Sequence, residues 1–247
     1  PSGNAGPCKN CFPVKSHDAT RRGFVKRHTP ECPIGPSVRR DAVPCVIGVD
    51  LDNTIAGYDG ILFRRAVECG WIPPNAAKGK RAIRDQIRRL PDGEMKWQAL
   101  QAHIYGPGMK GARLMAGVKA FLDACREHGA LVFIVSHKTQ YAAAAPEGPD
   151  LRETARAWLE RRGWLGLSRN HIFFEATRAG KLARIRALGC THFVDDLEET
   201  FLEPDFPANV EKILYAPDGA YSQRGNWLSF DSWKSIRDYF TRSCWHG

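Results

Sequence analysis

The chain has 247 residues, 43% of them hydrophobic, and it carries a formal net charge of +9. This length fits one large domain or a domain with a small appendage, and the hydrophobic content is ample for a buried core. No apolar run approaches the roughly 20 residues that span a bilayer, so we expect no membrane partner.

The positive charge is concentrated in two segments. Residues 1–44 carry a net charge of +5 and residues 78–89 carry another +5, which leaves the rest of the chain close to neutral. Charge that is concentrated in this way indicates anionic partners, nucleic acid among them.

The chain contains eight cysteines, and half of them lie in predicted strands or helices: Cys45, Cys69, Cys125 and Cys190. These four therefore read mostly as small core residues rather than as disulfide partners. Because no secretion signal is visible, we expect a reducing, cytoplasmic location.

Residues 1–43 show little hydrophobic periodicity, but they contain a metal-ligand spacing. Cys8 and Cys11 are separated by two residues, and His28 and Cys32, separated by three, follow after a gap of 16. Together these pairs supply the four donors of a closed tetrahedral zinc site. The segment is too short and polar to build its own core, so zinc would supply its folding free energy. It resembles small zinc fingers of the Cys-Cys-His-Cys type, with His17 as a less suitable ligand; the alternative is a loose tail.

Basic residues surround the predicted helix of this zinc module: Arg21, Arg22, Lys26 and Arg27. They could contact nucleic-acid phosphates. Equally, they could form a solvated face, or the module could bind a protein or its neighbouring domain. A proline-rich linker then leads into the second predicted domain, residues 44–247.

The apolar run over residues 46–49 ends abruptly in two carboxylates, Asp50 and Asp52, with Thr54 following. The run reads as a buried strand, and alternation then points both carboxylates to the same side. Burying two like charges is costly unless a cation or a shared proton relieves them. This stretch therefore predicts a site that holds a divalent metal; the alternative is a strand followed by an Asp/Asn-rich turn.

A helical insert over residues 55–110 delays the second core strand until about residue 131. Helices are predicted near residues 60–69, 76–90, 94–104 and 114–128. An insert directly after a strand that carries a site is well placed to act as a cap. Its basic face, with Arg81, Arg84 and Arg88, could attract an anionic substrate or simply face solvent.

The second apolar strand, residues 131–135, runs into Ser136, His137 and Lys138. A hydroxyl and successive backbone N–H groups at the carboxyl end of a strand form an oxyanion-binding corner. The Gly-x-Ser-x-Gly elbow is absent, so Ser136 is not predicted to be a nucleophile. A helix is predicted over residues 150–162.

A third strand over residues 171–174 leads to a helix with Lys181 in its first turn, where a cation opposes the helix dipole. An electrostatically unfavourable placement of this kind is expected at functional sites. The alternative is that Lys181 is an ordinary surface lysine. The fourth strand, residues 192–194, ends in Asp195 and Asp196.

The rest of the chain is predicted to hold a fifth strand over residues 212–215 and a last helix over residues 231–241. Cys244 and His246 near the end give only a two-residue hint of a metal site.

Four strand ends thus carry, in order, Asp-x-Asp-x-Thr, a serine, a lysine at a helix start, and Asp-Asp. The motifs are residues 49–54, residues 134–136, Lys181 and residues 193–196. This order resembles the haloacid dehalogenase-like hydrolase superfamily, specifically its phosphatase branch, over roughly residues 44–217. The resemblance implies an α/β fold with a Rossmann-like parallel sheet flanked by helices and a helical cap-like insert after the first strand.

The resemblance also implies site roles. Asp50 is expected to attack phosphorus, and Asp52 to act as general acid and base. Ser136 and Lys181 are expected to bind the phosphoryl oxygens, with Thr54 and His137 as further substrate-binding residues; Lys138 is the alternative lysine.

The implied cofactor is magnesium. It is expected to bind Asp50, the backbone carbonyl of Asp52, and Asp195, while Asp196 ligates through water or orients the site. Glu199 could serve as an additional acidic ligand.

These roles predict a magnesium-dependent phosphomonoesterase with an aspartyl-phosphate intermediate, acting on a small metabolite such as a sugar phosphate or a nucleotide. A phosphatase for the terminal phosphates of nucleic acid is the alternative that would use both basic segments. A non-enzymatic interaction protein on the same scaffold is a third hypothesis, but its first motif would be broken, and both aspartates are present here.

Overall fold

The computed structural model of the protein describes residues 45–219 and 225–245. The predicted zinc ligands Cys8, Cys11, His28 and Cys32 lie outside the described residues, as do the basic residues around them and His246. The predicted domain boundary at residues 43–44 stays a prediction. Within the described ranges, no helix is long and apolar enough to cross a bilayer.

The described residues form eight strands and eight α-helices, and short 3₁₀ turns join some of them. In chain order these are β1 (Val46–Val49), β2 (Ala56–Gly57), α1 (Asp59–Glu68), α2 (Lys80–Arg88), α3 (Gly93–Tyr105), β3 (Arg113–Leu114), α4 (Val118–Glu127), β4 (Leu131–His137), α5 (Leu151–Glu160), β5 (Ile172–Glu175), α6 (Arg178–Ala187), β6 (His192–Asp195), α7 (Glu198–Phe201), β7 (Glu211–Tyr215), β8 (Leu228–Phe230) and α8 (Trp233–Ser243).

Six of these strands form one sheet in the order β5-β4-β1-β6-β7-β8, and every neighbouring pair is parallel. The central strand is β1, and Val49 pairs with Ile134 of β4 on one side and with Val194 of β6 on the other. The predicted α/β class with a parallel sheet is confirmed. Since the carboxyl ends of parallel strands share one edge, the residues that follow β1, β4 and β6 are brought together there.

Helices cover both faces of the sheet, as the alternation along β4 requires. Val132 and Ile134 belong to the larger apolar core, which also contains side chains of α4, α5 and α8. Phe133 and Val135 belong to the second core with side chains of α6. Burial on both faces explains why the strands read as continuous apolar runs in the sequence.

The helices α1, α2 and α3 lie between β2 and β3, which pair as a two-stranded antiparallel ribbon. Ile83 and Ile87 of α2 are fully buried in the larger core. From α3, Trp97 and Leu100 join them.

Two parts of the predicted secondary structure are wrong. The sequence predicted five sheet strands, but β8 adds a sixth by pairing with β7. Its three residues, Leu228–Phe230, are too few to show a strand period. The helix predicted to start near residue 114 starts at Val118, because Arg113–Leu114 pairs with β2.

Candidate functional site

The first pair of carboxylates lies where β1 ends. The backbone N–H of Asp50 donates to the carbonyl of Val194 at 2.9 Å, which ties this end of β1 to β6. The N–H groups of Ile55 and Ala56 both donate to the carbonyl of Leu51. Asn53 has a φ of +61°, a conformation that asparagine tolerates better than most residues. This tight turn places Asp52 beside the carboxyl edge of the sheet.

Lys181 joins the two aspartates that end neighbouring strands. Its Nζ donates to Asp50 Oδ1 at 2.6 Å and to Asp195 Oδ2 at 2.7 Å, and its side chain is only 3% exposed. Burial alone would lower the pKa of Lys181, but the two carboxylates outweigh it and raise that pKa above its usual value. Lys181 therefore stays protonated between them.

Asp50 is buried beside other carboxylates. Burial raises its pKa to about 7, with Lys181 opposing the shift and Asp195 and Asp52 adding to it. Because these like charges lie so close together, a bound cation would favour the ionised form of Asp50.

Asp52 has a different set of partners. Lys138 Nζ donates to its Oδ2 at 2.7 Å, and the Tyr58 hydroxyl donates to its Oδ1 at 2.5 Å. The ammonium of Lys138 also lies 5.1 Å from the centre of the Tyr105 ring. At 19% exposure, the Asp52 side chain is more accessible than that of Asp50 at 7%. Each carboxylate after β1 thus has its own buried lysine.

The second pair of carboxylates is fixed by local hydrogen bonds. Asp195 Oδ1 accepts from the N–H of Leu197 at 3.0 Å, and Asp196 Oδ1 accepts from the Thr54 hydroxyl at 3.2 Å. Burial raises the pKa of Asp196 well above its usual value, and the charges of Asp195 and Asp50 add to this effect. The predicted role of Thr54 in binding substrate stays a prediction, and in the structure its hydroxyl donates to Asp196.

Carboxylate oxygens of Asp50, Asp195 and Asp196 lie within 4.8 Å of one another. Lys181 forms ion pairs with two of them, Asp50 and Asp195, and Asp196 forms none in the described part of the chain, so a bound cation would be favoured there. Oxygen donors of this kind suit magnesium, and the residues therefore fit the predicted metal. The carboxylate of Glu199 does not belong to this group in the described part of the chain; the residue lines the cavity next to it.

The predicted oxyanion corner at the end of β4 is present in part. Ser136 is 1% exposed, and its hydroxyl oxygen has no hydrogen-bond partner among the described residues. A buried hydroxyl without a partner is costly, so a bound oxyanion would satisfy it. His137 is exposed, and its Nε2 lies 3.1 Å from the carbonyl of Ala176. The imidazole thus engages the chain that follows β5.

A cavity of about 630 Å³ adjoins these carboxylates. Its wall includes Asn53 and Asp196, and α2 contributes Lys80, Arg81 and Arg84. The remaining arginine of the predicted basic face, Arg88, pairs with Glu94 at 2.7 Å. The insert therefore presents part of its basic face to the cavity.

Lys80 was not singled out from the sequence. Burial lowers its pKa, but Tyr105 and Asp196 outweigh this effect and raise it above the usual value. In the sequence, the only feature that pointed to Lys80 was its position within the basic segment, residues 78–89. No such feature pointed to Tyr58 or Tyr105: Tyr58 is six residues from Asp52 but belongs to no motif, and Tyr105 meets Tyr58 and Lys138 only in the folded chain.

No protein-family model and no curated protein sequence matches the chain. Among solved structures, a haloacid dehalogenase-like family hydrolase from Streptococcus pneumoniae superposes with a TM-score of 0.53 at 13% identity, over 80% of this chain and 98% of that one. A conserved haloacid dehalogenase-like protein of unknown function from Agrobacterium tumefaciens superposes with a TM-score of 0.51 at 13% identity. The match covers 81% of this chain and 98% of that one. The fold is that of the haloacid dehalogenase-like hydrolases. A predicted phosphoglycolate phosphatase from Haemophilus somnus superposes with a TM-score of 0.48 at 15% identity. The match covers 79% of this chain and 97% of that one.

On this haloacid dehalogenase-like fold, the predicted motif residues meet at one edge of the sheet. Asp50 and Asp195 share Lys181, Asp52 binds Lys138, and Thr54 binds Asp196. The two lysines thus contact different carboxylates of the first motif, and the choice of Lys181 over Lys138 as the phosphate-binding lysine stays a prediction.

Proposed function

We propose that the protein is a magnesium-dependent phosphomonoesterase in which Asp50 is the nucleophile and Asp52 the acid and base. The observation that carries this proposal is the division of the lysines, with Lys181 on Asp50 at 2.6 Å and Lys138 on Asp52 at 2.7 Å. Two carboxylates in different environments can take different catalytic roles, one as nucleophile and one as acid and base. In the resembling superfamily, the second aspartate favours phosphoryl transfer over dehalogenation.

Asp50 would attack phosphorus in line as the bond from phosphorus to the leaving oxygen breaks, which forms an aspartyl-phosphate. Lys181 aligns the attacking carboxylate and adds positive charge beside the phosphoryl oxygens. The buried Ser136 hydroxyl donates to one of those oxygens. Asp50, Asp195 and Asp196 would hold magnesium, which would supply positive charge to neutralise the phosphate.

Asp52 would give a proton to the leaving oxygen in the first half of the reaction. In the second half it takes a proton from the water that attacks the aspartyl-phosphate, which restores Asp50 and returns Asp52 to its protonated form. Tyr58 and Lys138 fix the direction of the Asp52 carboxylate throughout.

The cavity favours a small phosphorylated metabolite as the substrate. Its volume of about 630 Å³ lies within the range of roughly 300–1,000 Å³ found for small-molecule sites. The wall of the cavity contains the three basic side chains of α2 and also five acidic ones. The acidic residues are Asp59, Asp196, Glu198, Glu199 and Asp218. A wall of mixed charge suits a compact polar molecule better than a long polyanion. A terminal phosphate of nucleic acid is the second candidate, because Lys80, Arg81 and Arg84 lie at this cavity.

The test is turnover of p-nitrophenyl phosphate in magnesium. Asp50→Asn removes the attacking carboxylate, so we expect a loss of about 10³-fold or more in kcat/KM. The matched control is Asp123→Asn, since Asp123 is an aspartate on the exposed face of α4 paired with Lys119. Unchanged turnover by Asp50→Asn would exclude the mechanism.

A further inference from the structure

Three metal-ligating side chains meet at the amino ends of β1 and β6. Cys45 precedes β1, His192 begins β6, and Cys244 follows α8. One ring nitrogen of His192 and the two sulfur atoms lie within 4.8 Å of one another. Asp50 follows Cys45 by five positions of extended chain, which span about 16 Å, so this cluster is distinct from the carboxylate site.

Hydrogen bonding determines which nitrogen of His192 can bind a metal. The Thr191 hydroxyl donates to the carbonyl of Val46 at 2.9 Å and lies 2.8 Å from His192 Nδ1. A hydroxyl has one hydrogen and the carbonyl can only accept it, so Nδ1–H must donate to Thr191. Burial lowers the pKa of His192 and favours this neutral form. Nε2 then carries a free lone pair, and it faces Cys244 Sγ at 3.6 Å.

This arrangement matches that of a metal-ligating histidine, whose other nitrogen usually donates to a fixed partner. The 3.6 Å between Cys244 Sγ and His192 Nε2 is close to the separation of about 3.5 Å between sulfur and nitrogen ligands of a tetrahedral zinc ion. Cys45 Sγ lies 3.9 Å from the other ring nitrogen, Nδ1, so its side chain must turn toward Nε2 to share an ion bound there.

A buried donor lies beside the cluster. The indole Nε1–H of Trp245 is buried and has no hydrogen-bond partner within the described ranges, and it lies near enough to Cys45 to interact with the thiol. A donor in this position would stabilise a thiolate at Cys45.

We propose that Cys45, His192 and Cys244 bind one zinc ion. Two thiolates and a neutral imidazole are donors that zinc prefers, and the two negative charges balance the ion. Binding releases two protons, one from each thiol. The fourth tetrahedral position is left for water or a further donor. The ion would fasten the end of α8 to β1 and β6, independently of the proposed phosphatase chemistry.

The test uses the full chain with Cys8→Ser and Cys11→Ser, which removes the predicted N-terminal zinc site. This protein is equilibrated with zinc under reducing conditions and in excess magnesium, which competes for the carboxylates. After gel filtration, we expect elemental analysis to find about one zinc per chain. Adding Cys244→Ala should abolish this zinc, whereas Cys69→Ser, which changes a cysteine outside the cluster, should leave it unchanged.

Two further measurements do not require a ligand variant to fold. Zinc titration of the unaltered cluster should release about two protons per ion. Thr191→Val, which removes the acceptor of Nδ1–H, should weaken zinc affinity by about 10–100-fold. Absence of zinc from the protein with Cys8→Ser and Cys11→Ser would overturn the proposal. So would zinc retained after Cys244→Ala, or a disulfide between Cys45 and Cys244 under these conditions.

Discussion

At the scale of single residues, the candidate site separates two aspartates that are nearly adjacent in the chain. Asp50 shares Lys181 with Asp195, whereas Asp52 is bonded to Lys138 and Tyr58. A buried ion pair adds little net stability, but removing one partner leaves an uncompensated charge. The two lysines are therefore better understood as fixing the direction and charge of each carboxylate than as stabilising the fold.

Lys138→Met tests whether this lysine acts through Asp52. Methionine keeps the length of the side chain against Tyr105 but removes the donor to Asp52. We expect kcat/KM for an alkyl phosphate to fall by about 10²–10⁴-fold, the usual contribution of acid–base catalysis. The loss with p-nitrophenyl phosphate should be much smaller, because p-nitrophenolate leaves without a proton.

The measurement is kcat/KM for both substrates, with Lys119→Met as the control. Lys119 also pairs with an aspartate, Asp123, but on the exposed surface of α4. Equal losses with the two substrates would show that Lys138 acts on the phosphoryl group or on the fold, and not through Asp52.

At the scale of elements, β1 is packed too tightly for a side chain at its centre. A Cβ at Gly48 would lie 2.4 Å from Cδ2 of Phe193, whose ring is fully buried, and 3.1 Å from Cys190 Sγ. Gly48→Ala should therefore lower the free energy of unfolding by about 1–3 kcal/mol, the usual cost of overpacking a core. Urea unfolding measures this change.

The control for Gly48→Ala is Gly60→Ala in α1, where the nearest atom to the new Cβ is 3.8 Å away. That change should be neutral or should stabilise the protein by about 0.4–1 kcal/mol, because alanine restricts the unfolded chain. If both variants had the same stability, close packing would not be the reason for glycine in β1.

The elements that could be predicted from the sequence are those whose signal is local. The runs before Asp50, Ser136 and Asp195 are apolar because both faces of the sheet are covered, and each ends in a polar residue at the same edge. β8 was missed because its three residues depend on β7 for their conformation.

Most of the site residues that were missed are brought together by packing between distant segments. Lys80 lies near Asp196, which is 116 positions away, only in the folded chain. Tyr58 is six residues from Asp52, but it belongs to no motif that would mark it in the sequence. Cys45 and His192 are 147 positions apart in the chain, and no spacing rule joins them to Cys244. The sequence hint at Cys244 lacked the partners that the register of β1 and β6 supplies.

At the scale of the whole molecule, charge is distributed unevenly about a site that is itself rich in carboxylates. The net +5 over residues 78–89 includes the α2 side chains at the cavity, and the other +5 lies in residues 1–44. Arg88 of α2 bonds to Glu94 of α3 at 2.7 Å, and Glu94 lies outside the segment, so part of this net charge is compensated. The field at the cavity is therefore weaker than the composition of the segment indicates.

The dependence of turnover on salt distinguishes the two substrate classes. A small phosphorylated metabolite makes few ionic contacts, so its kcat/KM should change little between 50 and 200 mM salt, at constant free magnesium. A phosphorylated oligonucleotide bound through six or more phosphates would lose about 10³-fold or more in affinity over the same range. We expect the metabolite pattern, measured with a panel of sugar phosphates and nucleotides beside 3′- and 5′-phosphorylated oligonucleotides. Faster turnover of the oligonucleotides, falling steeply with salt, would assign both basic segments to nucleic acid and contradict the small-metabolite proposal while leaving the roles of Asp50 and Asp52 intact.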